Sequence, residues 1–293
     1  MKKGYLGVML DCSRNAVMSV AELKNFILTL KKTGYNCLQL YTEDTYEIEG
    51  EPQFGYRRGK YTKAELKEID AFAKKNGVEL MPCIQTLAHL NQIFRYPKYQ
   101  NINDANDILL VDDERTYALI EKMIATCAEC FTSRNIHIGM DEAHWLCRGR
   151  YFDLHGASNR FNVLLRHLSR VSQIAEKYGF KPMMWSDMFF RIAGKGEYYH
   201  KKKIPRPVME KVPENVQLVY WDYYNENPEI VDCMIEHHLD FKRNVWIAGG
   251  AWKWRGFESD NRKSLSQTKV LLCSAKKQGV NNILLTMWGD NGG

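Results

Sequence analysis

Two acids, Asp141 and Glu142, stand side by side at the end of the apolar stretch I-H-I-G-M-D-E-A-H-W, residues 136–145. Neighbouring carboxylates raise each other's pKa, so such a pair is tolerated only where the two occupy different environments or do different work. It can cap the helix that follows and face solvent. It can also set a proton donor beside a fixed negative charge. What the rest of the chain brings to the same place decides between these.

Apolar runs rich in Val, Ile, Leu, Tyr and Met recur along the 293 residues and predict eight strands, at 5–10, 36–41, 78–84, 135–140, 181–185, 216–221, 244–249 and 282–288. Amphipathic segments at 20–34, 63–77, 158–179 and 262–279 lie between them, and each ends on a glycine placed as a helix C-cap. Strand, helix, glycine, strand in repetition is the sequence form of right-handed βαβ units. Eight strands, with no G-x-G-x-x-G after the first, predict a (β/α)8 TIM barrel rather than a dinucleotide-binding sheet. The sequence stops at Gly293, just past the eighth strand. The chain therefore reads as one barrel domain over 1–293, cut before its last helix and any C-terminal domain, with such a domain or a dimer partner expected to cover that strand. Two connections, 85–113 and 187–215, are long, and both follow strands, so they fall on the face where barrel active sites form.

Residues at the strand ends give Asp11, Glu43, Asp44, Gln85, His89, Asp141 and Glu142 in the first half, and Trp185, Asp187, Trp221, Tyr223, Trp252, Trp254, Trp288 and Asp290 in the second. One half supplies acids and a histidine, and the other an aromatic wall. Acids facing indole rings suit a sugar, whose C–H faces pack on aromatics while its hydroxyls need polar partners. Each Trp alone is as well explained by core packing, but five of the seven fall at strand ends. Glycoside hydrolysis is the expectation. Most glycosidases set two carboxylates on opposite sides of the scissile bond. Adjacent acids fit better the variant in which the substrate's own acetamido group attacks, one acid orienting that group and the other protonating the leaving oxygen.

Composition excludes other classes. The net charge of +6 is scattered among 35 acids, and the one dense basic run, Lys201–Lys203, sits in a loop-like segment, so no nucleic-acid partner is expected. No apolar window is long enough to span a membrane, and Asp11 interrupts the N-terminal run. Eight cysteines spread over strand and helix positions suit free thiols in a reducing, cytoplasmic setting. The single C-x-x-C at Cys127 and Cys130 lies in a helix-like segment without a second pair. His137, His144 and Cys147 lack ligand spacing, and no metal or cofactor is expected.

The segment H-I-G-M-D-E at 137–142 resembles the catalytic motif of family 20 glycoside hydrolases, the β-N-acetylhexosaminidases. The runs 39–50, 80–90, 183–189 and 286–291 resemble other parts of that family in the same order, and 84–89 and 220–225 resemble its hexosaminidase D-like branch. The resemblance implies an exo-acting, retaining enzyme that releases terminal β-linked GlcNAc or GalNAc through an oxazolinium intermediate. It implies Glu142 as general acid and base, Asp141 as partner of the acetamide N–H, and Tyr223 as donor to the acetamide oxygen. Trp185, Trp221, Trp288 and Trp252 would wall the sugar, and Asp290 would accept from O4 or O6. His89 with Glu43 or Asp44 would support Glu142. Leu6-Gly7 stands where many members carry an Arg-Gly that grips O3 and O4, so that contact is either lost or comes from elsewhere, from Arg14 or Asp290, with Asp11 also expected at the substrate. Met140 replaces a common glycine. Two rival readings are a barrel with a conventional carboxylate nucleophile, disfavoured because 244–254 ends on no acid, and a catalytically inactive sugar-binding barrel.

Overall fold

The computed structural model describes residues 4–14 and 17–292. Eight strands form a closed, all-parallel barrel in sequence order: β1 Leu6–Asp11, β2 Cys37–Thr42, β3 Glu79–Ile84, β4 Asn135–His137, β5 Lys181–Trp185, β6 Gln217–Trp221, β7 Val245–Gly250 and β8 Asn282–Met287. All but β4 fall within a residue of their expected places, because most are near-continuous apolar runs; β2 is buried at all six positions. Inside, the Gln39 amide nitrogen lies 3.3 Å from the Met183 sulfur on a strand three places away, so the barrel is packed rather than hollow. β1 closes on β8 in register from Leu6 opposite Ile283 to Leu10 opposite Met287.

Helices α1 Val20–Lys32, α2 Lys63–Lys75, α3 Glu114–Cys130, α4 Arg160–Lys177, α5 Asp187–Ala193, α6 Pro228–Leu239 and α7 Asn261–Lys277 lie between the strands. Local chemistry sets their limits. Ser19, Asp113, Asn159, Asn227 and Asp260 cap N-termini through their side chains, and Thr62 with Glu65 forms a full capping box. The expected glycines Gly34, Gly77, Gly179 and Gly279 follow the four predicted helices with φ of 73–87°.

The fourth strand is shorter than expected. It stops at His137 because Gly139 and Met140 take φ of +71° and +73°, turning the chain out of the ladder just before the acids. Hydrogen bonds to β5 persist, from Ile138 N to Met183 O and from Trp185 N to Gly139 O. The long connection after β3 carries a short helix, Pro97–Gln100, and the one after β5 begins with α5. Beyond β7, Arg255–Gly256 pairs with Asn291–Gly292 and ties the last two loops together.

All eight cysteines are free, and Cys127 and Cys130 are both buried in α3. Among the described residues no group of three or more His, Cys, Asp or Glu is arranged to hold a metal ion, and no helix is long and apolar enough to cross a membrane.

Candidate active site

At the C-terminal mouth of the barrel lies a cavity of about 260 Å³, lined by residues from several strand ends that include Arg14, His89, Asp141, Glu142, Trp185 and Tyr223. It is just below the usual range for ligand cavities, about 300–1,000 Å³, a size suited to one ring rather than an extended chain.

Asp141 and Glu142 divide the two environments between them. Asp141 is buried, and its Oδ1 accepts from the Gln85 side-chain amide at 2.8 Å. Gln85, itself fully buried, also donates to Tyr41 Oη at 3.0 Å and accepts from Met140 N at 3.2 Å, so one side chain pins both the acid and the peptide leading to it. A Cβ on Gly139 would lie 2.0 Å from the Gln85 oxygen, and with its positive φ this position excludes any side chain. On the other side of Asp141, His89 Nε2 lies 3.3 Å from Oδ2 and 3.8 Å from Oε2 of Glu142, contacts between charges rather than aligned hydrogen bonds. Burial pushes the Asp141 carboxyl up, but the His89 charge and the Gln85 bond outweigh it and hold the group down at about 2. Burial likewise opposes charge on His89, and the Asp141 carboxylate overcomes it, raising the imidazole to about 9. Asp141 is thus a fixed anion. Glu142, by contrast, keeps 40% of its side chain exposed at the mouth, with a backbone φ of +49°.

Opposite the acids stand the rings. Trp221 and Tyr223 stack at 5.2 Å with planes 20° apart, and Trp185 lies 6.1 Å from Trp288. The indole nitrogen of Trp185 is buried with no hydrogen-bond partner among the described residues. Trp254 also lines the cavity. Trp252, expected there, stands behind it: it stacks on Trp254 at 4.7 Å and donates its indole N–H to Tyr223 O at 2.9 Å, so it backs the wall instead of facing the cavity.

Arg14 occupies the far end. Its guanidinium lies 3.3 Å from Asp11, 3.5 Å from Glu43 and 3.8 Å from Asp290, and sits over the rings of Tyr41 and Trp288 at 5.0 and 5.2 Å. Asp11 supports it from below; its Oδ2 also accepts from Gly289 N at 2.8 Å and its Oδ1 from Ser13 N. Of the two acids after β2, Glu43 reaches Arg14 and accepts from Tyr41 Oη at 3.1 Å. Asp44 turns away and pairs with Arg58 at 3.0 Å, contacting neither His89 nor Glu142.

Asp187 and Arg191 were not assigned roles from sequence, although Asp187 stands at a strand end. Asp187 is fully buried and its Oδ2 accepts from Glu142 N at 3.1 Å and from Arg191 Nε at 3.0 Å. Burial first, and then the Asp141 charge, push its carboxyl up to about 7 against the pull of Arg191. The signal available was their i, i+4 spacing directly after β5. A fixed anion, a partly exposed acid at the mouth, a ring-lined pocket and a cation at the far end can together bind one neutral sugar ring and move a proton at its edge.

The model of the glycosyl hydrolase family 20 catalytic domain matches residues 4–241. Hexosaminidase D of Bos taurus is 25% identical over 221 residues, 72% of this chain and 60% of that protein, and hexosaminidase D of Homo sapiens 24% identical over 72% and 43%. The chain thus spans about half the length of these curated relatives. A β-N-acetylhexosaminidase structure from Bacteroides fragilis superposes with a TM-score of 0.74 at 18% identity, covering 99% of this chain and 61% of that one. A Streptomyces plicatus β-hexosaminidase mutant in complex with GlcNAc gives 0.71 at 20%, covering 99% and 59%. At these identities the two superpositions speak for the barrel alone.

Proposed function

The chain belongs to glycosyl hydrolase family 20, and from that premise we propose that it is an exo-acting β-N-acetylhexosaminidase that releases terminal β-linked GlcNAc or GalNAc with retention. The observation that carries the reading is the separation of the adjacent acids into a buried anion pinned by Gln85 and His89 and a half-exposed neighbour at the mouth. An acetamide N–H needs the first, and a leaving oxygen the second.

In the proposed reaction the acetamide oxygen attacks C1 as the bond from C1 to the leaving oxygen breaks. Asp141 accepts from the acetamide N–H and stabilises the positive charge that spreads onto it, Tyr223 donates to the acetamide oxygen, and Glu142 gives its proton to the leaving oxygen. In the second half Glu142 takes a proton from water, water attacks C1, and the C1–acetamide oxygen bond breaks. Two inversions give retention. Trp185, Trp221 and Trp288 pack the sugar and its acetamido methyl, while Arg14 and Asp290 hold O3, O4 or O6. Arg14 takes the place left open by Leu6-Gly7. Tyr224 and Arg255 also line the cavity. The eight free cysteines support a reducing, cytoplasmic location, which cell fractionation followed by immunoblotting tests directly.

Activity on chromogenic β-GlcNAc and β-GalNAc, inhibited by a thiazoline mimic of the oxazoline, is the expected result. Glu142→Gln is expected to lower kcat on unactivated substrates by about 10²–10⁴. Full activity in that variant, or indifference to the thiazoline, overturns the mechanism. Binding of GlcNAc by the wild type without turnover identifies a sugar-binding barrel instead.

A further inference from the structure

Arg191 has no place in the mechanism above, yet every edge of its guanidinium is engaged. Nε donates to Asp187 at 3.0 Å, Nη1 donates to Gly196 O at 3.2 Å, and Nη2 faces Glu142 Oε1 at 3.6 Å. The group is packed at 5.5 Å over the ring of Tyr198 and at 5.7 Å over that of Trp221, and only 18% of the side chain is exposed. Its anchor, Asp187, lies one turn back on α5 and also accepts the backbone N–H of Glu142. Oδ1 of Asp187 is buried with no hydrogen-bond partner among the described residues, so the carboxylate is committed to these contacts through one oxygen.

The consequence is a fork around Glu142. Asp187 fixes its backbone, where φ is +49°, while Arg191 stands off its carboxyl by more than a hydrogen-bond length. At 3.6 Å a neutral carboxylic acid is left free to point at a leaving oxygen, and a carboxylate is drawn in by a few tenths of an ångström to a charge-assisted bond. Resting on the proposed hexosaminidase reaction, we propose that Asp187 and Arg191 form a positioning pair that holds Glu142 in its proton-donating pose and takes up its charge once the proton has left. Because Arg191 also stacks on Trp221, the same residue ties the position of the acid to the wall of the sugar pocket. His89 lies 3.8 Å from the other oxygen of Glu142, but it is already paired with Asp141, which leaves Arg191 as the partner for the newly formed carboxylate.

The test uses two β-GlcNAc substrates, a dinitrophenyl glycoside whose leaving group needs no proton and chitobiose, whose leaving group does. Arg191→Gln is expected to lower kcat/KM on chitobiose by about 50-fold and on the dinitrophenyl glycoside by less than about threefold, within the span of proton-transfer catalysis. Arg191→Lys, which keeps the charge, is expected to recover about tenfold of the chitobiose loss. Asp187→Asn, which keeps an acceptor for Glu142 N, should show a smaller loss with the same leaving-group dependence. Equal losses on both substrates, or no loss, overturn the proposal by making the pair a packing element or a bystander. If Arg191→Gln does not fold, the Lys and Asn variants carry the same comparison. A wild type that cleaves neither substrate refutes the hexosaminidase reading itself, a separate outcome.

Discussion

Met140 sits fully buried at φ +73°, directly before Asp141 and Glu142, where a glycine would be unstrained. A single non-glycine residue in this region costs about 1–2 kcal/mol, and removing a buried Met side chain costs about 2–5 kcal/mol. Burial outweighs strain, so Met140→Gly is expected to destabilise the protein by about 2 kcal/mol even though it relaxes the backbone. Met140→Ala separates the two effects. It loses nearly as much burial, keeps the strain, and regains only about 0.4–1 kcal/mol from a stiffer unfolded chain. The predicted order of stability is wild type, then Gly, then Ala, the last two separated by about 1 kcal/mol or less. Urea unfolding followed by tryptophan fluorescence measures the order, with kcat on a chromogenic substrate read well below the transition. A glycine variant more stable than wild type would show that burial of the side chain is worth less than the strain it imposes. An alanine variant more stable than the glycine variant would show that the strain of the positive φ is smaller than that gain of about 0.4–1 kcal/mol.

Arg14→Met is expected to lower kcat/KM on β-GlcNAc substrates by about 10–100-fold, the worth of one charged hydrogen bond, mainly through KM; an equal loss on a substrate lacking the O4 hydroxyl would sink its assignment to that hydroxyl. The His89–Asp141 pair makes stability depend on pH. The histidine, raised from 6.5 to about 9, contributes fully below about 6.5 and loses its contribution as pH rises through about 9, while the acid, lowered from 3.8 to about 2, contributes above about 3.8 and loses it as pH falls through about 2. The stability gap between wild type and His89→Gln in urea unfolding is therefore expected to be widest between about pH 4 and 6.5 and to narrow toward pH 9, and a gap unchanged over that upper range would show that the pair is not ionised.

The strands were legible because burial on both faces writes an apolar run that needs no partner to be recognised, and the helices because a C-terminal glycine marks the turn back to the sheet. Position at a strand end singled out Asp141, Glu142, Tyr223 and three of the four tryptophans that line the cavity, Trp185, Trp221 and Trp288. Legibility fails where the chain leaves regular structure. Glu43 and Asp44 are neighbours past the end of β2, and only the turn decides that the first reaches Arg14 and the second Arg58. Trp252 and Trp254 are two apart in a loop with no period, and packing puts one in front of the other. Gln85 was visible at its strand end, but its hold on Asp141, Tyr41 and Met140 together exists only in three dimensions. Arg191 lies on a helix rather than a strand end, and its value comes from what the fold sets opposite it.

The far end of the cavity is built across the seam where the first and last strands meet. Asp11 accepts from Gly289 N, 278 positions away in sequence, and Arg14 faces Asp290. Closing so long a loop is among the slowest steps available to a chain. During refolding, helix content is therefore expected to return before the contacts of Asp11 and Arg14 across the seam do, and recovery of the proposed turnover is expected to lag the circular dichroism signal. A site that straddles the seam reports whether the ring has closed, and simultaneous recovery of the two signals would mean that closure comes first.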